Sequence, residues 1–174
     1  IVQLKAIRPD LEILDLRGNV NTRLIKLDKG EYDAIILACA GLIRLGFEDR
    51  IKQPLDAQTS LPAVGQGALG IENRKGDEVV RELIKPLIDS KTMTEVLAER
   101  AMNATLEGSC SVAIAGYAKT MGEELLLKGL VGNVESGSIL RAERTGSTSQ
   151  PKALGELVAN QLLDIGAGKL LVGG

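Results

Sequence analysis

The chain has 174 residues, 23 of them acidic and 21 basic for a formal net charge of −2, and it is 44% apolar against 25% charged. That composition is globular rather than disordered, sufficient for one domain or two small ones with a buried core, and its charge excludes a broadly basic nucleic-acid binder. It holds no histidine and two cysteines, Cys39 and Cys110, which excludes histidine-based triads, His-ligated zinc or haem, an all-thiolate zinc site and a disulfide framework.

In chain order, Leu11 to Leu16 alternates apolar with polar residues and runs into Arg17-Gly18-Asn19, the pattern of a half-buried strand ending in a turn. Val20, Leu24 and Leu27 follow at helical spacing, with Asn19 or Asn21 at the N-cap and Gly30 at the stop. Tyr32 to Cys39 is nearly all apolar and predicts a strand buried on both faces, as in parallel sheets, with Cys39 as core packing. Gly41 to Gly46 predicts a short helix, so the first third reads as a βαβ-type unit. Gln53 to Gly70, rich in Pro and Gly, predicts a crossing segment between domains.

Helical spacing returns from Asp77 to Leu87, disturbed at its end by Pro86. Ser90-Lys91-Thr92 opens a strong helix, Met93 to Leu106, with Val96, Leu97, Ala101 and Leu106 expected on its apolar side. Val112–Lys119, Glu124–Val131 and Ser138–Arg144 predict an antiparallel meander, and Ala153–Leu163 a closing amphipathic helix. Helix, three strands and helix make a small α+β domain. The longest apolar run, Ala34 to Ile43, is far short of the ~20 residues a membrane span needs. An aromatic content of 2% leaves little for base stacking, so neither nucleic acid nor membrane is an expected partner. The chain opens on Ile1 with no initiator Met or leader and is expected to be a piece of a longer polypeptide. Its two cysteines are expected as reduced thiols, which suits the cytoplasm.

Three constellations carry candidate chemistry. Arg17-Gly18-Asn19-Val20-Asn21-Thr22-Arg23 places two arginines at a turn that opens a helix, where unpaired N–H groups and paired guanidinium N–H groups grip carboxylates or phosphates. Arg44 interrupts an apolar segment and is a candidate to join them; the competing reading of all three is surface ion pairing. Cys110, in Glu107-Gly108-Ser109-Cys110-Ser111-Val112, is either a loop thiol serving as nucleophile or tether, or an incidental cysteine. Leu61 to Glu72, with Gly65-Gln66-Gly67 at its centre, lacks the Lys and Ser/Thr of a P-loop and reads as a hinge, a ligand contact, or both.

These segments, with Gly30-Glu31-Tyr32-Asp33-Ala34-Ile35-Ile36-Leu37-Ala38, Ala98-Glu99-Arg100-Ala101 and Leu106-Glu107-Gly108, resemble the hydroxymethylbilane synthase (porphobilinogen deaminase) family over essentially the whole chain. The resemblance implies a transferase of tetrapyrrole, porphyrin and haem biosynthesis. Such an enzyme condenses four porphobilinogen molecules head to tail with loss of ammonia, on a dipyrromethane cofactor bound to a cysteine by a thioether. Carried over, Cys110 is the attachment residue. Arg17, Arg23 and Arg44 bind carboxylate side chains of substrate, with Arg17 and Arg23 also on the cofactor, and Asn19, Gly65, Gln66 and Gly67 line the cofactor cleft.

The implied fold is α/β, part of a periplasmic-binding-protein-like domain pair, followed by a small α+β domain with a three-stranded antiparallel sheet. Residues 1–61 would belong to domain 2, 62–88 would cross back to domain 1, and 89–174 would form domain 3. The resemblance also implies an amino-terminal half holding the catalytic Asp, so no catalytic residue is assigned here and the chain is expected to be inactive alone. The parent enzyme is expected as a cytoplasmic monomer, or an organellar one in a plastid-bearing source. The cysteine loop departs from the family's usual pattern of Gly-Gly-Cys, a polar residue and Val-Pro at Ser109, which replaces a Gly, and at Ala113, which replaces the Pro, with Ser111 at the polar position. A non-catalytic anion-binding module of periplasmic-binding-protein type is the alternative.

Overall fold

The computed structural model describes residues 1–106 and 113–171. Helices α1 (Val2–Ile7), α2 (Val20–Asp28), α3 (Cys39–Arg44), α4 (Glu78–Ile84) and α5 (Ser90–Thr105) precede strands β1 (Ala113–Met121), β2 (Glu124–Gly132) and β3 (Ile139–Ser147). Helices α6 (Pro151–Asp164) and α7 (Ala167–Leu171) follow. The strands form an antiparallel sheet in the order β1-β2-β3. Met121 pairs with Glu124 across a two-residue turn, and Gly122 at its first position has φ +64°, the left-handed geometry that matches strand twist in tight hairpins.

Alternation along β2 sets the layering. Leu125, Leu127 and Val131 are buried on one face with Ala98, Met102 and Leu106 of the α5 segment and Leu154, Val158 and Leu162 of α6. Leu130 lies on the opposite face with Leu61 and Ala115. Each Leu, Val or Met among them contributes about 1.5–3 kcal/mol when fully buried. A row of small residues, Gly116 paired with Gly129 and Gly129 with Ala142, lets the helices approach the sheet closely. A Cβ on Gly129 would lie 2.5 Å from Met102 Sδ. The two helices touch as closely: a Cβ on Gly155 would stand 2.3 Å from the Ala98 carbonyl oxygen and 2.7 Å from Ala101 Cβ.

The meander, the closing helix, the strong α5 helix and the Asn19-capped α2 stand where the sequence pattern puts them. So does the Pro86 disturbance, since α4 gives way to a 3₁₀ turn at Lys85–Leu87. The βαβ expectation is corrected. Residues 11–16 and 32–38 belong to no strand, with a bend at Asp33, and the three-stranded sheet is the sheet found among the described residues. A strand exists only when a neighbouring backbone completes its ladder, and neither segment finds one. One link joins them, the Tyr32 hydroxyl donating to the Asp15 carbonyl at 2.8 Å. Leu14 and Ile36 are left exposed, Ile36 by 60%. Cys39 is also corrected: it opens α3 as a half-buried free thiol rather than sitting in a core strand. On α5 the buried residues are Ala98, Glu99 and Met102, while Val96, Leu97 and Ala101 are half-buried.

Two predictions follow from this packing. Gly155→Ala should lower stability by roughly 1–3 kcal/mol or more through overpacking, despite the ~1 kcal/mol that alanine gains in helix propensity. Urea unfolding should show a lower midpoint, and an unchanged midpoint would mean that α5 and α6 can part. The second concerns Asp89, which caps α5 by accepting from Thr92 N–H at 2.6 Å. That bond, with the Thr92 side chain, holds its carboxyl below the ordinary range. Its stabilisation is present above the ordinary Asp value and is lost as pH falls through the lower folded value. Asp89→Asn keeps the acceptor but not the titration, so its urea midpoint should fall less than wild type between roughly pH 5 and pH 3.

Candidate functional site

The Arg17–Arg23 turn is built from its backbone outward. Gly18, at φ +121°, takes a conformation that L side chains rarely adopt and turns the chain from residues 11–17 into α2. Asn19 then caps the helix, accepting from Thr22 N–H at 2.9 Å and from the Thr22 hydroxyl at 3.0 Å. The Arg23 Nε–H donates to the Gly18 carbonyl at 2.8 Å, which fixes the guanidinium on the turn and leaves its terminal nitrogens without a partner among the described residues. The Arg17 side chain is 90% exposed and lies 4.0 Å from Asp15, itself equally open. An ion pair that long and that solvated contributes little, so Arg17 is available to an anion. A helix N-terminus with one arginine just before its cap and another at its fourth residue is an electropositive corner suited to carboxylates.

The other expected residues lie elsewhere. Arg44 is an exposed side chain in the last turn of α3, and among the described residues no hydrogen bond or ion pair joins it to the α2 turn. Gly65 and Gly67 have φ +74° and +90°, in a turn between residues 64 and 67 where Gln66 and Gly67 are exposed. Cys110 lies outside the described residues, as do Ser109 and Ser111. Among the described residues no group of His, Cys, Asp or Glu could hold a metal ion, and no helix is long and apolar enough to cross a membrane.

The glycine turn is tied down from below. Gln3 and Leu61 exchange hydrogen bonds, Nε2 to the carbonyl at 2.9 Å and the backbone N–H to Oε1 at 2.8 Å. The Pro62 carbonyl accepts from Gly116 N–H at 3.0 Å. Glu99 accepts from Gly65 N–H at 2.7 Å through Oε2 and from Ala118 N–H at 2.8 Å through Oε1. One turn earlier on α5, Glu95 accepts from Thr120 N–H at 2.8 Å. Burial pushes the Glu99 carboxyl above its ordinary value; the two backbone bonds oppose that shift and the like charge of Glu95 adds to it. The sequence offers one signal for Glu99, a carboxylate between the buried positions Ala98 and Met102, where an ionised group needs partners.

A surface depression of about 500 Å³ lies between α5 and α6, lined in part by Leu97, Arg100, Lys152 and Glu156. It is open to solvent and contains none of the expected site residues. Asn19→Ala should cost about 1 kcal/mol through loss of the cap, and Asn19→Asp should restore it. Amide exchange at Thr22 measures both, and unchanged protection in Asn19→Ala would show that the turn does not need the cap.

Two family models match the chain. Residues 1–82 match "Porphobilinogen deaminase, dipyromethane cofactor binding domain" and residues 93–164 match "Porphobilinogen deaminase, C-terminal domain". Among similar proteins, the porphobilinogen deaminase of Ruthia magnifica subsp. Calyptogena magnifica is 64% identical over 171 residues. That of Vesicomyosocius okutanii subsp. Calyptogena okutanii (strain HA) is 58% identical over 171 residues. Each alignment takes in 98% of this chain and 56% of the relative, so the chain spans about half the length of the curated relatives it matches.

Proposed function

Because the chain belongs to the porphobilinogen deaminase family, we propose that it is the carboxy-terminal portion of a hydroxymethylbilane synthase. That transferase joins four porphobilinogen molecules head to tail with release of ammonia, in tetrapyrrole biosynthesis. The observation that carries the reading is the α2 turn, where Arg17 stands open and Arg23 is oriented by its own backbone bond. Each pyrrole unit brings two carboxylates, so a net-acidic protein needs a local cationic corner to hold a pyrrole oligomer. Arg17 and Arg23 bind carboxylates of cofactor and substrate with two-pronged hydrogen bonds, and Arg44 serves the substrate. Asn19 holds the turn, and the Gly65-Gln66-Gly67 backbone lines the cleft.

The donor set fits a dipyrromethane, whose acidic arms match guanidinium and helix N–H groups and whose tether needs a thiol, here Cys110. When bound, that group supplies the terminal pyrrole on which the product grows. The residues of this chain bind it, orient it and balance its charge; no general acid is assigned among them, and the catalytic Asp is expected from the amino-terminal part of the complete enzyme. Exposed apolar side chains support docking of that part. Leu14 and Ile36 lie on segments that belong to no strand, and Val79, Leu83 and Leu87 stand 73%, 73% and 68% exposed in the α4 segment, more apolar surface than a solvated face needs. The reading divides the chain at 61/62 and 88/89 and makes the enzyme a cytoplasmic monomer.

Intact-mass measurement of the complete enzyme tests the proposal. The expected result is one added dipyrromethane, lost in Cys110→Ala. Arg17→Lys should keep the added mass while kcat/KM falls at least about tenfold, the loss of one two-pronged contact. Added mass that survives Cys110→Ala would overturn the attachment, and unchanged Arg17→Lys kinetics would return Arg17 to surface ion pairing.

A further inference from the structure

Glu99 is buried, 7% exposed, and spends its two oxygens on two different segments: Gly65 N–H at 2.7 Å and Ala118 N–H at 2.8 Å. An ionised carboxylate accepts on both arms at once, whereas the isosteric amide of glutamine offers one acceptor and one donor. We propose that Glu99 is a positioning residue for the ligand cleft, its carboxylate setting the Gly65–Gly67 turn at a defined height over α5 and β1. The inference rests on the reading of that turn as cleft lining.

Three observations support a role beyond packing. First, α5 is already registered on β1 by Glu95, which accepts from Thr120 N–H and has no bond to the glycine turn; contact with Gly65 is what Glu99 alone adds. Second, the turn is held at two points, the Pro62 carbonyl on Gly116 N–H and Gly65 N–H on Glu99. Gln66 and Gly67 lie just beyond the second point and are exposed, so their placement follows from that tether. Third, Gly65 has φ +74° with nothing within 4 Å of a built Cβ. Its conformation is therefore set by backbone and tether rather than by crowding.

Protonation would turn one Glu99 oxygen into a donor and leave one of the two N–H groups facing it. Glu95 is the ionisable neighbour acting on Glu99. Residues 63–68 carry no ionisable side chain, and Tyr117 and Lys119 flank Ala118 on β1.

The test uses the complete holoenzyme. The Gly65 and Ala118 amide resonances should move together with the Glu99 carboxyl carbon as pH falls, with one shared midpoint. In Glu99→Gln both amides should lose that titration. The cofactor mass should remain and kcat/KM should fall by roughly tenfold to a hundredfold, the cost of displacing a ligand contact by about an ångström. Glu95→Gln should lower thermal stability and, by removing a like charge, shift the shared midpoint downward, while the Gly65 amide still follows Glu99 and the kinetics stay unchanged. A Gly65 amide that does not follow Glu99 in the wild type overturns the tether, whether or not the variants fold. Glu99→Gln kinetics equal to those of Glu95→Gln overturn the positioning role. If the wild type carries no dipyrromethane and forms no bilane while Gly65 still follows Glu99, the functional reading fails and the ligand role of Glu99 fails with it, but the tether stands.

Discussion

The outer edge of β1 is the constraint on which the carboxy-terminal module depends. β2 pairs with one side of β1 only, so the N–H groups of Gly116, Ala118 and Thr120 need acceptors from elsewhere. They find the Pro62 carbonyl, Glu99 and Glu95 respectively. The match is geometric. Four residues along a helix advance about 6 Å, and two residues along an antiparallel strand about 6.8 Å, so acids at i and i+4 of α5 reach alternate amides of the strand. The arrangement satisfies buried donors and closes an edge on which another chain would otherwise add a strand.

The same contact reaches beyond the sheet to the glycine turn. The carboxylate of Glu99 that closes the β1 edge also reaches Gly65, so the core of one module and the glycine turn of the preceding segment share one charge. Desolvation acts against that charge and two backbone donors offset it. The α2 turn carries groups of the opposite sign. Arg17 is open to solvent, the Arg23 Nε–H is spent on the Gly18 carbonyl, and Asn19 caps the helix. A carboxylate inside the protein is thus met by backbone amides, while these guanidinium groups stand at the surface of a chain of net negative charge.

Close helix packing makes the module stiff enough for such tethers to matter. Gly155 brings the backbones of α5 and α6 together, and the Gly116–Gly129–Ala142 row lets Met102 and Val158 settle onto the sheet. A residue on α5 is then fixed relative to β1 by the core as well as by its own hydrogen bonds. Among residues 1–60, Val2, Leu24 and Leu42 are buried, while Leu14, Ile25, Ile36 and Leu45 stand exposed.

What could be read without coordinates was whatever local chemistry encodes. Asn19 and the Gly30 stop bound α2, alternation and the Met121-Gly122 turn gave the meander, and Pro86 ended a helix, because caps, periodicity and ring constraints act within a few residues. The motifs at Arg17–Arg23, Gly65–Gly67 and Cys110 were legible for the same reason and identified the family. Pairing was not legible. The alternation of Leu11–Leu16 and the apolar run from Tyr32 look like strands, yet whether such segments become strands depends on a neighbouring backbone far away in the chain. Nor could periodicity tell that the buried face of α5 includes Glu99, since a carboxylate enters a core only when distant donors, here Gly65 and Ala118, are brought to it by the fold.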